Sequence, residues 1–214
     1  MDTEKIVRRA AKEISEGQII NLGIGLPTQV LSHLPDEMDV LVHSENGILG
    51  SWKRASQNEI DPFLIDAGGA YISVRDGCSI MDSAVSFGLI RRGKLDVTMI
   101  GAFEVDQKGG LANWKIPGYF SPGIGGAMEL AQKTKRVIVL CSHNSKDGKS
   151  KILKKCRLPL TAAHCVSRII TDKAVMDVTA GGLLLRELAE NIELEEVIAS
   201  TEADLIVPSL IERF

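Results

Sequence analysis

Ile19-Ile20-Asn21-Leu22-Gly23-Ile24-Gly25-Leu26-Pro27 is the stretch whose reading decides the fold. Its first four residues form a short apolar run suited to a buried strand. Glycines break the run, and Pro27 then stands in the first turn of a helix expected over residues 27–33. Strand, glycine turn and helix together open an α/β layer. Such a junction also lets backbone N–H groups converge on an anion, although a plain tight turn reads the same way. A dinucleotide fingerprint requires a third glycine at position 28, where this chain has Thr28, so a nicotinamide cofactor is discounted.

The alternation continues in both directions. Upstream, residues 3–16 place Ile6, Val7, Ala10, Ala11 and Ile14 on one helical face, with Asp2 or Thr3 as cap and Gly17 after the end. Downstream, strands are expected at residues 39–43, 63–66, 71–74, 97–100, 136–141, 167–170, 174–178, 183–186 and 205–207. Helices are expected at 81–92, 127–133 and 193–199. Residues 101–114 read as a strand and hairpin with a polar tip, with Trp114 as a part-buried structural side chain. Residues 52–62 read as a polar, irregular surface loop. No repeat or Pro/Ser-rich linker divides the chain. Residues 1–214 are therefore expected to form one α/β domain, a mostly parallel or mixed sheet covered by helices on both faces.

A chain of 214 residues buries most of its apolar surface without staples or metals. A formal net charge of -3 gives no whole-molecule attraction to nucleic acid, so an anionic ligand needs local donors. Met1-Asp2-Thr3-Glu4-Lys5 lacks the apolar core of a signal peptide, and no apolar run approaches the roughly 18 residues of a membrane span. Cys78, Cys141, Cys156 and Cys165 show no C-x-x-C spacing, and the four histidines show no metal-ligand spacing. A cytoplasmic, metal-free protein with reduced thiols and no membrane contact is the expectation. Between residues 133 and 157 stand nine basic residues and one acid, Asp147. That run is either a phosphate-friendly face or, more commonly, a solvated surface.

His43-Ser44-Glu45-Asn46-Gly47-Ile48-Leu49-Gly50 is the most chemically suggestive stretch. A strand ends there in a polar tetrad closed by a glycine, and the carboxyl ends of strands in open α/β sheets are favoured ligand positions. Glutamate is ionised at neutral pH and can attack a carbonyl without a general base. Glu45 is nevertheless one of 28 acidic residues, and pattern alone does not single it out. Further on, glycines 123, 125 and 126 precede a helical run and form a second potential nest of backbone donors.

Together these stretches resemble the β subunit of the family I coenzyme A-transferases, in particular the 3-oxoacid (succinyl-CoA:acetoacetate) type. The likeness covers nearly the whole chain. It rests on Asn21 to Thr28, on Ser44-Glu45-Asn46-Gly47, on Leu111-Ala112-Asn113-Trp114-Lys115-Ile116-Pro117-Gly118, and on Gly123-Ile124-Gly125-Gly126-Ala127-Met128-Glu129-Leu130. Leu158-Pro159-Leu160-Thr161 and Arg168-Ile169-Ile170-Thr171 complete it. The chain departs from the 3-oxoacid members after Gly118, where their Lys-Met-Val-Lys is replaced by Tyr119-Phe120-Ser121-Pro122.

The resemblance implies the CoA-transferase (NagB/RpiA-like) fold and a ping-pong transfer of CoA between an acyl-CoA or 3-oxoacyl-CoA and a carboxylic acid. Glu45 matches the catalytic nucleophile, which carries a glutamyl-CoA thioester. Ile24, Gly25, Gly125 and Gly126 match backbone that lines the acyl-CoA site, and Ser83 is a candidate orienting residue. An α subunit, in an α2β2 assembly, is the implied partner. CoA esters enter as substrates, with no permanently bound cofactor. A CoA-ester hydrolase using the same glutamate is the rival reading, and a non-catalytic or sugar-phosphate-binding subunit on the same fold is a second.

Overall fold

The structure, a computed structural model, describes residues 3–121 and 123–214; Asp2, one of the two expected caps, and Pro122 lie outside them. The strands are β1 (Ile19–Leu22), β2 (Leu41–Ser44), β3 (Ile48–Arg54), β4 (Ile72–Ile80), β5 (Val97–Gly101), β6 (Glu104–Asp106) and β7 (Leu111–Ala112). They continue as β8 (Arg136–Leu140), β9 (Ile152–Leu153), β10 (Arg168–Ile170), β11 (Ala174–Thr179), β12 (Gly182–Leu188), β13 (Leu205–Ile206) and β14 (Glu212–Arg213). The helices are α1 (Thr3–Ala11), α2 (Ser83–Arg91), α3 (Ala127–Lys133) and α4 (Leu194–Ser200), with a 3-10 helix at Pro27–His33.

One large sheet runs in the order β13-β12-β11-β10-β8-β5-β1-β2-β3-β4, with β14 also against β12. Its centre, β10-β8-β5-β1-β2, is parallel. Antiparallel pairs extend it on both sides, β3 and β4 beyond β2, and β11 and β12 beyond β10. The sheet is mixed: β2-β3-β4 and β10-β11-β12 follow one another without a helix between them and pair antiparallel.

The period of two along each strand divides the core. On β8, Val137 and Val139 face one side and Ile138 and Leu140 the other, all buried. On the first side the strands pack against Ile90 of α2, Leu130 and Ala131 of α3 and Val197 of α4. A small sheet, β7-β6-β9, adds Val105, Leu111 and Ile152 to the same cluster. On the other side Ile6, Val7 and Ala10 of α1 and Val30 and Leu31 of the 3-10 helix cover Ile20, Val97 and Met99. Both faces are thus covered by helices. Buried apolar side chains of this size contribute about 1.5–3 kcal/mol each, so these two layers hold the sheet.

An ion-pair cluster fastens α1 to the starts of β8 and β10. Glu13 accepts hydrogen bonds from Arg9 (2.8 Å), Arg136 (2.6 Å) and Arg168 (2.5 Å) while its own side chain is 5% exposed. Burial alone would raise its pKa, but those guanidiniums outweigh it and hold the carboxyl below its ordinary range.

Three expectations need correction. Residues 52–62 are not wholly a surface loop: β3 continues through Arg54, and Trp52 is buried with the Arg75 guanidinium 3.5 Å from its ring centroid. Residues 63–66 do not form a strand; Ile65 makes an isolated bridge to Tyr71, and Phe63 is exposed. The first helix ends at Ala11, five residues before the expected 16, and its continuation turns Glu13 toward the arginines.

Candidate active site

Glu45 follows β2 directly. The Gly47 N–H donates to Ser44 O at 3.0 Å, which closes residues 44–47 into a turn and sends the chain back as β3. Gly47 has φ +121°, and a Cβ there would come within 2.1 Å of Met81 O. The Met81 N–H in turn donates to Gly47 O at 2.8 Å. The turn is therefore pinned to the chain just after β4, and only glycine fits its fourth position. The neighbours of Glu45 are tied down as well. Asn46 Nδ2 donates to Ile65 O at 2.8 Å, and Ser44 Oγ accepts from the Ala67 N–H at 3.0 Å.

The half-buried Glu45 carboxylate rests against the start of α3. A Cβ on Gly126 would stand 3.0 Å from Oε1 of Glu45 and 3.2 Å from the Phe87 ring, so the missing side chain is what makes room for it. Burial pushes the Glu45 carboxyl above the ordinary carboxylate range; hydrogen bonds from the Gly126 N–H and the Asn21 amide pull it partly back. Among the described residues no cation pairs with it. A carboxylate stripped of part of its water, held by neutral donors and free of a counter-ion is poised to attack an electrophilic carbon.

Beneath the carboxylate runs a buried polar chain. Asn21 Nδ2 donates to His43 O at 3.1 Å and lies 3.4 Å from His43 Nδ1, while the Thr98 hydroxyl donates to Asn21 Oδ1 at 3.3 Å. His43 Nε2 is 2.8 Å from Ser86 Oγ, and that hydroxyl donates to Ser44 O at 3.3 Å. Burial depresses the His43 pKa, so the ring is neutral. The Ser86 side fixes the tautomer: Nε2–H donates to Ser86 Oγ and the Ser86 proton goes to Ser44 O, which leaves Nδ1 unprotonated toward the Asn21 amide. The chain fixes the strand end that carries Glu45.

A cleft of about 660 Å³ opens over the carboxyl ends of β2, β1, β5 and β8, where open α/β sheets place their ligands. Glu45, Asn21 and Ile24 line it, with Gly125 and Gly126, Phe103 and Phe120, and Cys141 and Lys151 further round. Four of the six residues singled out from sequence therefore share this cleft. Gly25 lies in the wall of an adjoining cavity of about 550 Å³. Ser83 is exposed in the first turn of α2, away from the cleft; Ser86, three residues on, reaches His43 instead. Sequence reasoning missed Ser86, Phe87 and the role of Asn21. The signal available was the helical spacing from Ser83, which brings the next serine onto a neighbouring face.

Comparison with known proteins agrees with this architecture. The coenzyme A transferase family profile matches residues 3–200. The chain is 48% identical over 204 residues to the β subunit of the acetate CoA-transferase of Haemophilus influenzae, covering 95% of this chain and 91% of that one. It is 46% identical over 200 residues to the mitochondrial succinyl-CoA:3-ketoacid coenzyme A transferase 2 of Homo sapiens, covering 92% of this chain and 38% of that one. Among solved structures, an acyl-CoA transferase from Escherichia coli O157:H7 superposes with a TM-score of 0.79 at 21% identity, over 99% of this chain and 43% of the other. The chain belongs to the coenzyme A transferase family, and its fold is the one that its motifs implied.

Proposed function

We propose that the chain is the β subunit of a CoA-transferase that moves CoA between a short acyl-CoA and a carboxylic acid, with Glu45 as nucleophile. The observation that carries this reading is the Glu45 carboxylate itself: partly desolvated, without a cationic partner among the described residues, against Gly126 at the floor of a substrate-sized cleft.

The chemistry balances without water or redox. A Glu45 oxygen attacks the thioester carbonyl, the C–S bond breaks, and CoA thiolate leaves an acyl-glutamyl anhydride. The thiolate attacks the glutamyl carbonyl of that anhydride, releasing the first acid and leaving a glutamyl-CoA thioester. An incoming carboxylate attacks the thioester, and the thiolate it frees then takes the new acyl group, which restores Glu45. Covalent catalysis divides the transfer into steps of lower barrier. Each addition places negative charge on a carbonyl oxygen, and one preorganised backbone donor to such an oxyanion is worth about 2.7–4 kcal/mol. We assign the Gly126 N–H, already on the Glu45 carboxylate, to the oxyanion formed on the glutamyl carbonyl, and the Gly125 N–H and the Ile24-Gly25 backbone to the oxyanion on the acyl carbonyl.

A relative named as a β subunit, and the match to 38% of a longer transferase chain, support an α partner that completes the site, in an α2β2 assembly. Ile24, Ile80, Val85 and Tyr119 are 68%, 70%, 55% and 87% exposed close to the Glu45 turn or the cleft, which suits a covering subunit. Acetate and 3-ketoacid relatives are almost equally similar, so the substrate class is short acyl acids. CoA esters act as substrates, with no resident cofactor, in the cytoplasm. The test is intact-mass analysis of the assembled complex after mixing with acyl-CoA. We expect a CoA or acyl adduct, cleaved by hydroxylamine, that is absent in Glu45→Gln. An equally abundant adduct in that variant would remove Glu45 from the mechanism.

A further inference from the structure

The fold divides the nine cations of the basic run 133–157 into three groups. Five of its nine cations pair with carboxylates outside the cleft, among them Lys135 with Asp96 at 2.7 Å and Arg136 with Glu13 at 2.6 Å. Lys133, Lys146 and Lys155 are exposed. Lys151 differs from all of them. It is half-buried, it lines the same cleft as Glu45, and no carboxylate among the described residues lies within ion-pair distance of it. Among the described residues it is the one lysine or arginine in that lining, while Asp66 there accepts from the N–H groups of Gly68 and Ala70.

Its backbone is held firmly. The Lys151 N–H donates to His143 O, and Lys151 O accepts from the Val105 N–H, both at 3.0 Å. His143 is itself buried between Thr171 at 3.0 Å and Thr201 at 2.8 Å. The lysine is therefore built into a rigid wall beside Cys141, at the carboxyl end of β8. Three strand spacings, about 14 Å, separate β8 from β2 and its nucleophile. An unpaired ammonium in a partly desolvated cleft loses hydration and gains nothing from the protein, and an anion arriving from solvent supplies what is missing.

We propose that Lys151 is a specificity-determining residue that binds an anionic group of a substrate at the end remote from the carbon Glu45 attacks. This rests on the CoA-transferase reading and adds to it where the charge of the substrate is read. Two groups have the required chemistry: the second carboxylate of a dicarboxylic acid, and a phosphate of CoA.

The test uses the chain assembled with its α partner, as wild type, Lys151→Met and Lys151→Arg. kcat/KM is measured for succinate and for acetate as acceptors, and for acetyl-CoA and the phosphate-free acetyl-pantetheine as donors. If the second carboxylate is the ligand, Lys151→Met lowers the succinate-to-acetate ratio about tenfold or more, and arginine restores it. If a phosphate is the ligand, the acetyl-CoA to acetyl-pantetheine ratio falls by a similar factor instead. Both ratios staying within twofold of wild type overturns the proposal. Wild-type turnover that is abolished in Glu45→Gln secures the underlying reaction separately, so flat ratios in an active enzyme count against Lys151 alone.

Discussion

Replacing Gly126 with alanine separates catalysis from folding in this protein. The backbone at Gly126 has φ -79° and ψ -5°, a conformation alanine adopts freely. The fold therefore loses only the preference for glycine over alanine at a helix cap, about 1 kcal/mol or less, or a Tm change of about 2–4 °C for a chain of this size. The new methyl group, however, would stand 3.0 Å from Oε1 of Glu45, 3.1 Å from its Cδ and 3.2 Å from the Phe87 ring. Real contacts are longer, so the carboxylate must move by a few tenths of an ångström. A displacement of about 1 Å costs roughly 100-fold in a positioned reaction; we expect the acylation of Glu45 to slow about 10-fold or more. Gly125→Ala is the informative contrast. Its φ of +51° strains any side chain, at about 1–2 kcal/mol, but nothing lies within 4 Å of the new Cβ. The assay is single-turnover adduct formation by intact mass, with Tm by differential scanning fluorimetry. Gly126→Ala acylating at the wild-type rate, or losing rate only in proportion to its folded fraction, would refute the account of Glu45 lodged against a bare backbone.

Two carboxylates predict opposite stability profiles. Glu45 has a raised folded pKa, so its ionised form costs stability above that pKa, and the cost is relieved as pH falls through it. Glu45→Gln should therefore be more stable than wild type near neutral pH, by about 0.5–2 kcal/mol, with the gap closing on acidification; a urea midpoint unchanged at neutral pH and below would contradict this. Glu13 has a depressed folded pKa, so its contribution is present above about pH 4.3, the unfolded value, and is lost as pH falls through the folded one. Glu13→Gln should lose about 3 kcal/mol at neutral pH, seen as a lower urea midpoint, with the difference shrinking in acid. A loss of equal size at low pH would assign it to packing instead of charge.

Much of the fold was legible because it is written in local period. The run Arg136–Leu140 alternates between two buried faces, and nothing but a covered central strand accommodates that. The strand β3 was not expected from the sequence at all. Ser51-Trp52-Lys53-Arg54 mixes polar and aromatic residues, and its order depends on β4, from residues 72–80, and on Arg75 stacking over Trp52. Partners that distant leave no trace in a local window. The site divides the same way. Glu45 was marked by a strand end and by motif resemblance, whereas Ser86 depends on how α2 is rotated over β2. Lys151 was hidden in a basic run until pairing removed its neighbours from consideration.

The turn that carries Glu45 has one more consequence, for how such a protein diversifies. The carboxylate sits between two strands paired antiparallel, His43 opposite Leu49 and Ser44 opposite Ile48, with a single tight turn between them. Inserting one residue there would slip the register of β3 and swing Trp52 out of the core. Lengthening or loosening this segment is thus closed to mutation, because the same residues set the proposed nucleophile and the sheet. The opposite walls, residues 113–121, 123–126 and 141–151, lie largely in connecting segments that change length without disturbing a strand. New acyl preferences should arise there, with the reacting centre inherited unchanged.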